Sequence, residues 1–107
     1  MYMNAPSQEV APISTGITVL EILVKNHPGV MTHVCSLFSR RAYNLEGIAV
    51  LPIGDGTLSR IWLKVAAENR LDQVVKQLEK LHDVRRVERH GSSHPVFIGM
   101  AEHFEVL

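Results

Sequence analysis

Apolar residues alternate along the run from Ile17 to Lys25, which reads ITVLEILVK. Leu20, Ile22 and Val24 fall on one face of an extended chain, because successive side chains of a strand point to opposite faces. The opposite face places Glu21 between two further apolar residues and is therefore only partly polar. This pattern predicts a strand whose sheet is contacted on both sides, or meets a partner.

The apolar spacing changes to that of a helix after Asn26-His27-Pro28-Gly29, a run of residues that favour turns. Four apolar residues then recur at intervals of three and four, and two more widen the stripe. They are Val30, Val34, Leu37 and Phe38, with Met31 and Cys35 beside them. The pattern predicts an amphipathic helix of about three turns.

Three strands and a second helix are predicted in the rest of the domain. Asn44 to Pro52 and Arg60 to Val65 have strand patterns, and Gly54-Asp55-Gly56 between them is typical of a hairpin turn. The apolar stripe of the second helix consists of Leu71, Val74, Val75, Leu78 and Leu81. Val84 to His90 is predicted as a charged strand, which suits the edge of a sheet.

The order of these elements is βαββαβ, with two crossovers and one hairpin. Because crossovers are right-handed, this order predicts an α+β, ferredoxin-like domain, with a four-stranded antiparallel sheet and both helices on one face. We assign residues 17–90 to this domain. Residues 1–16 lack periodicity and are predicted to be a disordered leader. Residues 91–107 form a C-terminal tail, which either docks on a partner or lies as a strap over the domain's own surface.

Composition narrows the class of protein. The 107 residues are 46% hydrophobic, which fits one globular domain, and 11 basic residues balance 11 acidic ones. Zero net charge argues against a protein that binds nucleic acid through its phosphates. No apolar run approaches the roughly 18 residues of a membrane span, and no secretory signal pattern is present. One cysteine cannot form an internal disulfide, so we expect a cytoplasmic protein without a membrane partner.

No group of residues has the pattern of a catalytic or metal site. The six histidines lack metal-ligand spacing, Cys35 is expected to be a buried inert thiol, and Glu21 and Glu46 lack a partner acid or base. An RNA-binding sheet of this topology needs aromatic residues on its first and third strands. Only Trp62 fits, and we expect it to pack against a partner protein instead.

The turn before the first helix suits a bound carboxylate. The backbone amides of Gly29, Val30 and Met31 have no helical carbonyl to bond, and the helix dipole favours an anion there. Gly29 has no β-carbon, so a ligand can approach closely. Asn26 offers donors and an acceptor, which suits the zwitterionic end of an amino acid. An ordinary turn with no ligand explains the same residues, and the pattern leaves that alternative open.

A long stretch of the chain resembles a known family. The run LEILVKNHPGVMTHVCSLFSRRAYNLEGIAVLPIGDGTLSRIWL, followed by LDQVVKQLEKLHDVRRV, resembles the small regulatory subunits of acetolactate synthase (acetohydroxyacid synthase). The motifs are N-x-x-G before the helix, LFxRRxYN at its end, and the SRIWL strand. The His-Pro-Gly form and short length are most similar to the single-domain branch, from the valine-sensitive bacterial isozyme.

The resemblance implies an ACT domain that pairs side by side with a second copy into one continuous sheet. It also implies two valine sites at the dimer interface. One subunit would supply Asn26 to Val30 and the helix amides, and the other Asn44 and Leu45. Leu45 could form an apolar wall for the isopropyl group, whereas a turn-closing role is the alternative for Asn44. His27-Pro28 departs from other branches and leaves the effector open among valine, isoleucine and leucine.

The implied function is a non-catalytic regulatory subunit in branched-chain amino acid biosynthesis. It would bind and activate the large catalytic subunit and confer inhibition by L-valine. The resemblance implies thiamine diphosphate, Mg and FAD on that partner and no cofactor on this chain. One alternative is a free-standing ACT module that senses an amino acid for another partner. A small enzyme such as an acylphosphatase would need an arginine in its phosphate loop, and Asn26 to Gly29 contains none.

Overall fold

The computed structural model describes residues 16–105. Its six domain elements are β1 (Ile17–Lys25), α1 (Val30–Arg40), β2 (Leu45–Ile53), β3 (Leu58–Ala66), α2 (Leu71–Lys80) and β4 (Val84–His90). A 3₁₀ turn at Pro95–Phe97 and a helix α3 (Ile98–Glu105) follow. The leader predicted at residues 1–16 lies outside the described residues except for Gly16, and so do the last two residues of the tail.

The four strands form one antiparallel sheet in the order β2-β3-β1-β4. The edges of the sheet are therefore β2 and β4. Helix α1 connects β1 to β2 past β3, and α2 connects β3 to β4 past β1. These connections confirm the predicted βαββαβ fold.

The core lies between the sheet and helices α1 and α2. Alternate residues of β1 and β3 point into it, and each helix contributes its predicted stripe. The buried side chains are Leu20, Ile22, Val24, Ile61, Leu63 and Val65 from the strands, with Val30, Val34, Leu37, Phe38, Leu71, Val74, Val75 and Leu78 from the helices. Each such burial contributes about 1.5–3 kcal/mol, so this face fixes the strand register.

The chain after β4 packs on the other face of the sheet. A β-carbon at Gly47 would lie 3.1 Å from Cε1 of Phe97, so the phenyl ring sits directly over the backbone of β2. The Trp62 ring lies 4.8 Å from that of His94, between ring centroids. The expectation that Trp62 packs on a partner protein therefore needs correction, because the chain's own tail contacts it.

The structure differs from the sequence prediction in the bounds of strands β2 and β3 and in an additional helix in the tail. Strand β2 begins at Leu45 and contains a register shift between Leu45 and Gly47. Strand β3 extends outward to Leu58–Ala66, because its first residues pair with the end of β2 across the hairpin. Helix α3 was not predicted, since its apolar residues follow no clear helical stripe. Within residues 16–105, no helix is long and apolar enough to cross a membrane.

Candidate functional site

Gly29 caps the N-terminus of α1 in a left-handed conformation, with φ of 95° and ψ of −15°. Residues with a β-carbon rarely adopt this φ, so the turn requires glycine or strains its replacement. Apart from Gly29 and the residues bonded to it, no described atom lies within 4 Å of the position a β-carbon would take. The backbone of the turn is therefore open to a ligand from the surface.

Helix α1 begins without the groups that usually neutralise a helix N-terminus. No side chain caps it, and its first turn holds no acidic residue. The Val30 amide donates to the His27 carbonyl at 3.4 Å, so one of the three predicted amides has a partner within the loop. The amides of Met31 and Thr32 lie in the first turn, where no preceding helical carbonyl can accept from them. A carboxylate would satisfy such amides and the helix dipole together.

Asn26 attaches the loop to the β2–β3 hairpin. Its side-chain Nδ2 donates to the Gly56 carbonyl at 2.8 Å, and its backbone amide donates to the Thr57 carbonyl at 2.9 Å. One of the two N–H groups on the Asn26 side-chain nitrogen is therefore used within the chain. Asn26 keeps its Oδ1 as an acceptor and acts first as an anchor of the loop.

His27 attaches the same loop to the residue before β4. Its Nε2 pairs with Oδ2 of Asp83, and its Nδ1 lies 2.5 Å from the Pro28 carbonyl oxygen. The hydrogen bond with Asp83 raises the pKa of His27 and lowers the pKa of Asp83. No local pattern in the sequence predicts this pair, because its members lie 56 positions apart in the chain.

The two halves of the predicted effector site lie at opposite ends of α1. Asn26 to Met31 lie where the helix begins, whereas Asn44 and Leu45 follow its end. An eleven-residue helix is about 16 Å long at 1.5 Å per residue. Asn44 is exposed, and Leu45 is half-buried against the core. One copy of the chain therefore does not bring the two halves together.

The turn before Asn44 is held by a buried tyrosine. The Tyr43 hydroxyl donates to the Ala66 carbonyl, and the Arg70 guanidinium lies 4.9 Å from the centre of the Tyr43 ring. Arg70 also donates to the carbonyls of Arg41 and Ala42 at 2.5 and 3.1 Å. These contacts fix the start of β2, and with it Asn44 and Leu45.

A cluster of ionisable groups lies on the sheet face that the tail covers. Oε1 of Glu21 lies 2.8 Å from Nε2 of His90, and Oε2 lies 2.9 Å from Nε of Arg60. Burial alone would raise the pKa of Glu21, but the His90 hydrogen bond and the Arg60 charge outweigh it and lower that pKa. Possible metal-ligand atoms of Glu21, Glu88 and His90 all lie within 4.8 Å of one another. Because two basic side chains already pair with Glu21, we describe the cluster as an ion-pair network, and the expected absence of a metal stays a prediction.

Cys35 lines a shallow groove along α1. The other residues of the groove are Met31, Thr32, Ser36 and Ser39. The prediction of a buried thiol is wrong: Cys35 is only half-buried, because the apolar stripe of α1 ends at this edge.

The part of the chain that forms the sheet and helices α1 and α2 is similar to known proteins. A family model described as an AHAS small subunit-like ACT domain matches residues 20–86. The acetolactate synthase isozyme 1 small subunit of Escherichia coli K12 is 52% identical over 87 residues, covering 81% of this chain and 91% of that protein. The isozyme 3 small subunit of the same bacterium is 42% identical over 74 residues, covering 68% of this chain and 45% of that protein.

A solved structure gives the same result. The crystal structure of the acetolactate synthase small subunit from Thermotoga maritima superposes with a TM-score of 0.62 at 35% identity, covering 68% of this chain and 46% of that one. The family model extends from β1 into β4 and includes both halves of the candidate site. The chain therefore belongs to the family of acetolactate synthase small subunits, the non-catalytic regulatory subunits of that enzyme, and its domain is an ACT domain.

Proposed function

We propose that this chain binds L-valine at a site shared by two copies and transmits that binding to the acetolactate synthase large subunit. Association with the large subunit raises its activity, and valine lowers it. The observation that carries the proposal is the uncapped N-terminus of α1 behind the left-handed Gly29, in a chain that belongs to this family. In one chain that N-terminus lies far from Asn44 and Leu45.

A second copy can bring the halves together through the edge strand β2. This strand exposes apolar side chains, with Leu51 70% exposed and Ile48 45% exposed. An unpaired edge with exposed apolar residues favours pairing with another strand. The β2 strands of two copies can pair antiparallel about a twofold axis near the middle of the strand. This pairing places Leu45 of one copy beside Ile53 of the other.

The register of the sheet connects Ile53 to the α1 end of the domain. Ile53 pairs with Leu58, and Leu58 pairs with Lys25, the last residue of β1. The loop that carries Gly29 follows Lys25 directly. The partner's Asn44 and Leu45 would therefore arrive at the end of the sheet where α1 begins.

The chemistry of the assembled site fits a small aliphatic amino acid. We assign the effector carboxylate to the Met31 amide and the helix N-terminus, and its ammonium to Oδ1 of Asn26 and the side chain of Asn44 from the second copy. Leu45 of that copy would line the isopropyl group. One methylene contributes only about 1–3 kcal/mol to the binding free energy, so the affinities for valine, isoleucine and leucine differ by about 10- to 200-fold at most.

The regulatory effect follows if valine favours one arrangement of the dimer over another. A coupling free energy of about 1–3 kcal/mol makes valine bind one arrangement about 5- to 150-fold more tightly than the other, and this preference shifts the dimer toward the less active state of the complex. We place thiamine diphosphate, Mg and FAD on the large subunit and the complex in the cytoplasm. The small subunit contributes no reacting group and acts only through the conformation of its partner.

Thermal unfolding of the full chain with L-valine, with D-valine as the control, tests the proposal. At about 100 times the dissociation constant, one site adds roughly 2.7 kcal/mol to the free energy of unfolding. For a domain of this size, Tm should rise by several degrees with L-valine only. Equal effects of the two enantiomers, or none, would contradict a stereospecific effector site on this chain.

The partner is tested separately with purified large subunit. The full chain should co-purify with it, raise its rate of acetolactate formation, and make that rate sensitive to L-valine. If the chain binds valine but leaves the large subunit unbound and unaffected, a free-standing ACT sensor becomes the correct function.

A further inference from the structure

The loop that carries Gly29 is held from two sides. On one side, Asn26 donates to Gly56 in the β2–β3 hairpin. On the other, His27 pairs with Asp83, which directly precedes β4. Because β2 and β4 are opposite edges of the sheet, these two anchors lie on opposite sides of the loop and hold it between them.

Both ring nitrogens of His27 face atoms that can accept a hydrogen bond. Nδ1 lies 2.5 Å from the Pro28 carbonyl oxygen, and Nε2 pairs with a carboxylate oxygen of Asp83. Neither a carbonyl oxygen nor an ionised carboxylate has a proton to donate. The ring makes both bonds only when it carries a proton on each nitrogen and is positively charged.

The backbone of Asp83 is held independently of His27. The backbone of Asp83 accepts from the Lys25 amide at 2.8 Å, and the Asp83 side chain is largely buried. The other charged groups that act on this pair are Lys25 and His82. Across the hairpin, Asp55 is already engaged by the amide and hydroxyl of Thr57. The imidazole of His27 is therefore the group whose titration changes the anchor.

We propose that His27 is a positioning residue of the effector loop, and that L-valine binds more weakly once its ring loses the second proton. The inference rests on the proposed function, since it needs valine at the N-terminus of α1. A neutral ring keeps at most one of the two bonds and loses its charge attraction to Asp83, so the loop is held less firmly on the β4 side. Valine must then order Gly29 to Met31 as it binds, and that cost appears as lower affinity.

The pH dependence of L-valine affinity tests this inference. Calorimetric titrations of the full chain run from about pH 6 to about pH 8.5, the range in which histidine changes charge. We expect the dissociation constant to rise about two- to fivefold over this range, because the one-third-exposed His27 ring lets water weaken the ion pair to the size measured for surface pairs. Sedimentation at both ends of the range verifies that the oligomeric state is unchanged.

Three variants separate positioning from a merely structural role. His27→Gln should bind valine more weakly near pH 6 and lose the pH dependence. Asp83→Asn should stay close to the wild type in affinity but be insensitive to pH, because its amide can donate to Nε2 of a neutral ring. His33→Gln is the matched control, since His33 is exposed on α1, and it should retain the pH dependence of the wild type.

The outcomes distinguish this inference from the proposed function. Affinity that is independent of pH in a valine-binding wild type overturns the inference and leaves the effector site intact. A His27→Gln variant with an unchanged pH dependence also overturns it. A folded wild type that binds no valine at any pH overturns the proposed function, and this inference with it.

Discussion

Asn26 and Gly56 lie thirty residues apart in the chain and are joined by a 2.8 Å hydrogen bond from Nδ2 to the carbonyl oxygen. This bond connects the turn before α1 to the hairpin between β2 and β3. The amides at the start of α1 are therefore held against the same end of the sheet that a second copy would reach through its own β2. A displacement of the β2–β3 hairpin would therefore also displace the N-terminus of α1, because Asn26 is bonded to both Gly56 and Thr57.

Substitution of Asn26 should reduce both stability and effector affinity. Asn26→Ala removes the bond to Gly56, and an ordinary hydrogen bond contributes about 0.5–1.5 kcal/mol. We expect Tm to fall and valine to bind more weakly, measured by thermal unfolding and calorimetry. Asn44→Ala is the comparison, because Asn44 is exposed: it should weaken valine binding with little change in Tm. A variant of Asn26 that lost stability but kept full affinity would remove this residue from the site.

A negative charge at Gly29 should remove valine inhibition. Gly29→Asp places a carboxylate at the helix N-terminus, where it repels the effector and takes up the same amides. Gly29→Asn is a matched control of equal size, and asparagine tolerates the positive φ better than most residues. The helix terminus alone contributes up to about 1 kcal/mol, or up to about fivefold in affinity, and repulsion between the two carboxylates weakens valine binding to the Asp variant further. Equal inhibition curves for the two variants would contradict the carboxylate site.

Mixed dimers can show whether each site takes residues from two chains. Co-expression of Gly29→Asp with Asn44→Ala, each with a different affinity tag, yields dimers that carry one chain of each. One of the two sites then combines both defects, whereas the other is wild-type. Each parent should bind valine poorly, and the mixed dimer should recover half of the wild-type binding capacity. If no capacity returned, the sites would lie within single chains.

The tail should contribute to stability through Phe97. The Phe97 ring packs over Gly47 and is half-buried, whereas Phe104 is 72% exposed on the same helical tail. Full burial of a phenylalanine side chain contributes about 1.5–3 kcal/mol. Because Phe97 is half-buried, Phe97→Ala should lower the free energy of unfolding by about 1 kcal/mol or more, measured by chemical denaturation. Phe104→Ala should change the midpoint little. Identical midpoints for both variants would mean that the tail does not pack on the sheet in solution.

Glu21 should make the domain sensitive to acid. Its folded pKa lies below its ordinary value of 4.5, so its stabilising contribution is present above that pH and lost as the pH falls through the folded value. Glu21→Gln should flatten the decline of Tm between about pH 6 and about pH 3. Glu79→Gln changes an exposed position on α2, and the Tm of this variant should fall with pH as that of the wild type does. The effect of Glu21 should persist at high salt, because its side chain is only 14% exposed.

The fold could be predicted from sequence because its signals are local. The strand alternation in β1 and β3 and the stripes of α1 and α2 each arise from residues within one element. The location of the turn before α1 was predictable for the same reason. Its anchors were not, because Asn26–Gly56 and His27–Asp83 join residues that only the completed sheet brings together.

The position of the tail could not be predicted from sequence either. Phe97 packs on the sheet because Gly47 lacks a side chain and leaves space for the ring. That match depends on the shapes of two distant surfaces, which have no periodicity to detect. Patterns of apolar residues indicate that a segment will be covered, but they do not identify the segment that covers it.

Trp62 gives the molecule an intrinsic fluorescent probe. It is the single tryptophan in the chain, and its ring lies between the sheet and His94 of the tail, on the face opposite α1 and α2. Indole emission shifts to longer wavelength when water reaches the ring, so detachment of the tail should shift the emission maximum of Trp62 to longer wavelength. The attachment of residues 91–105 to the sheet can thus be followed in the unlabelled protein, in real time, by optical spectroscopy alone.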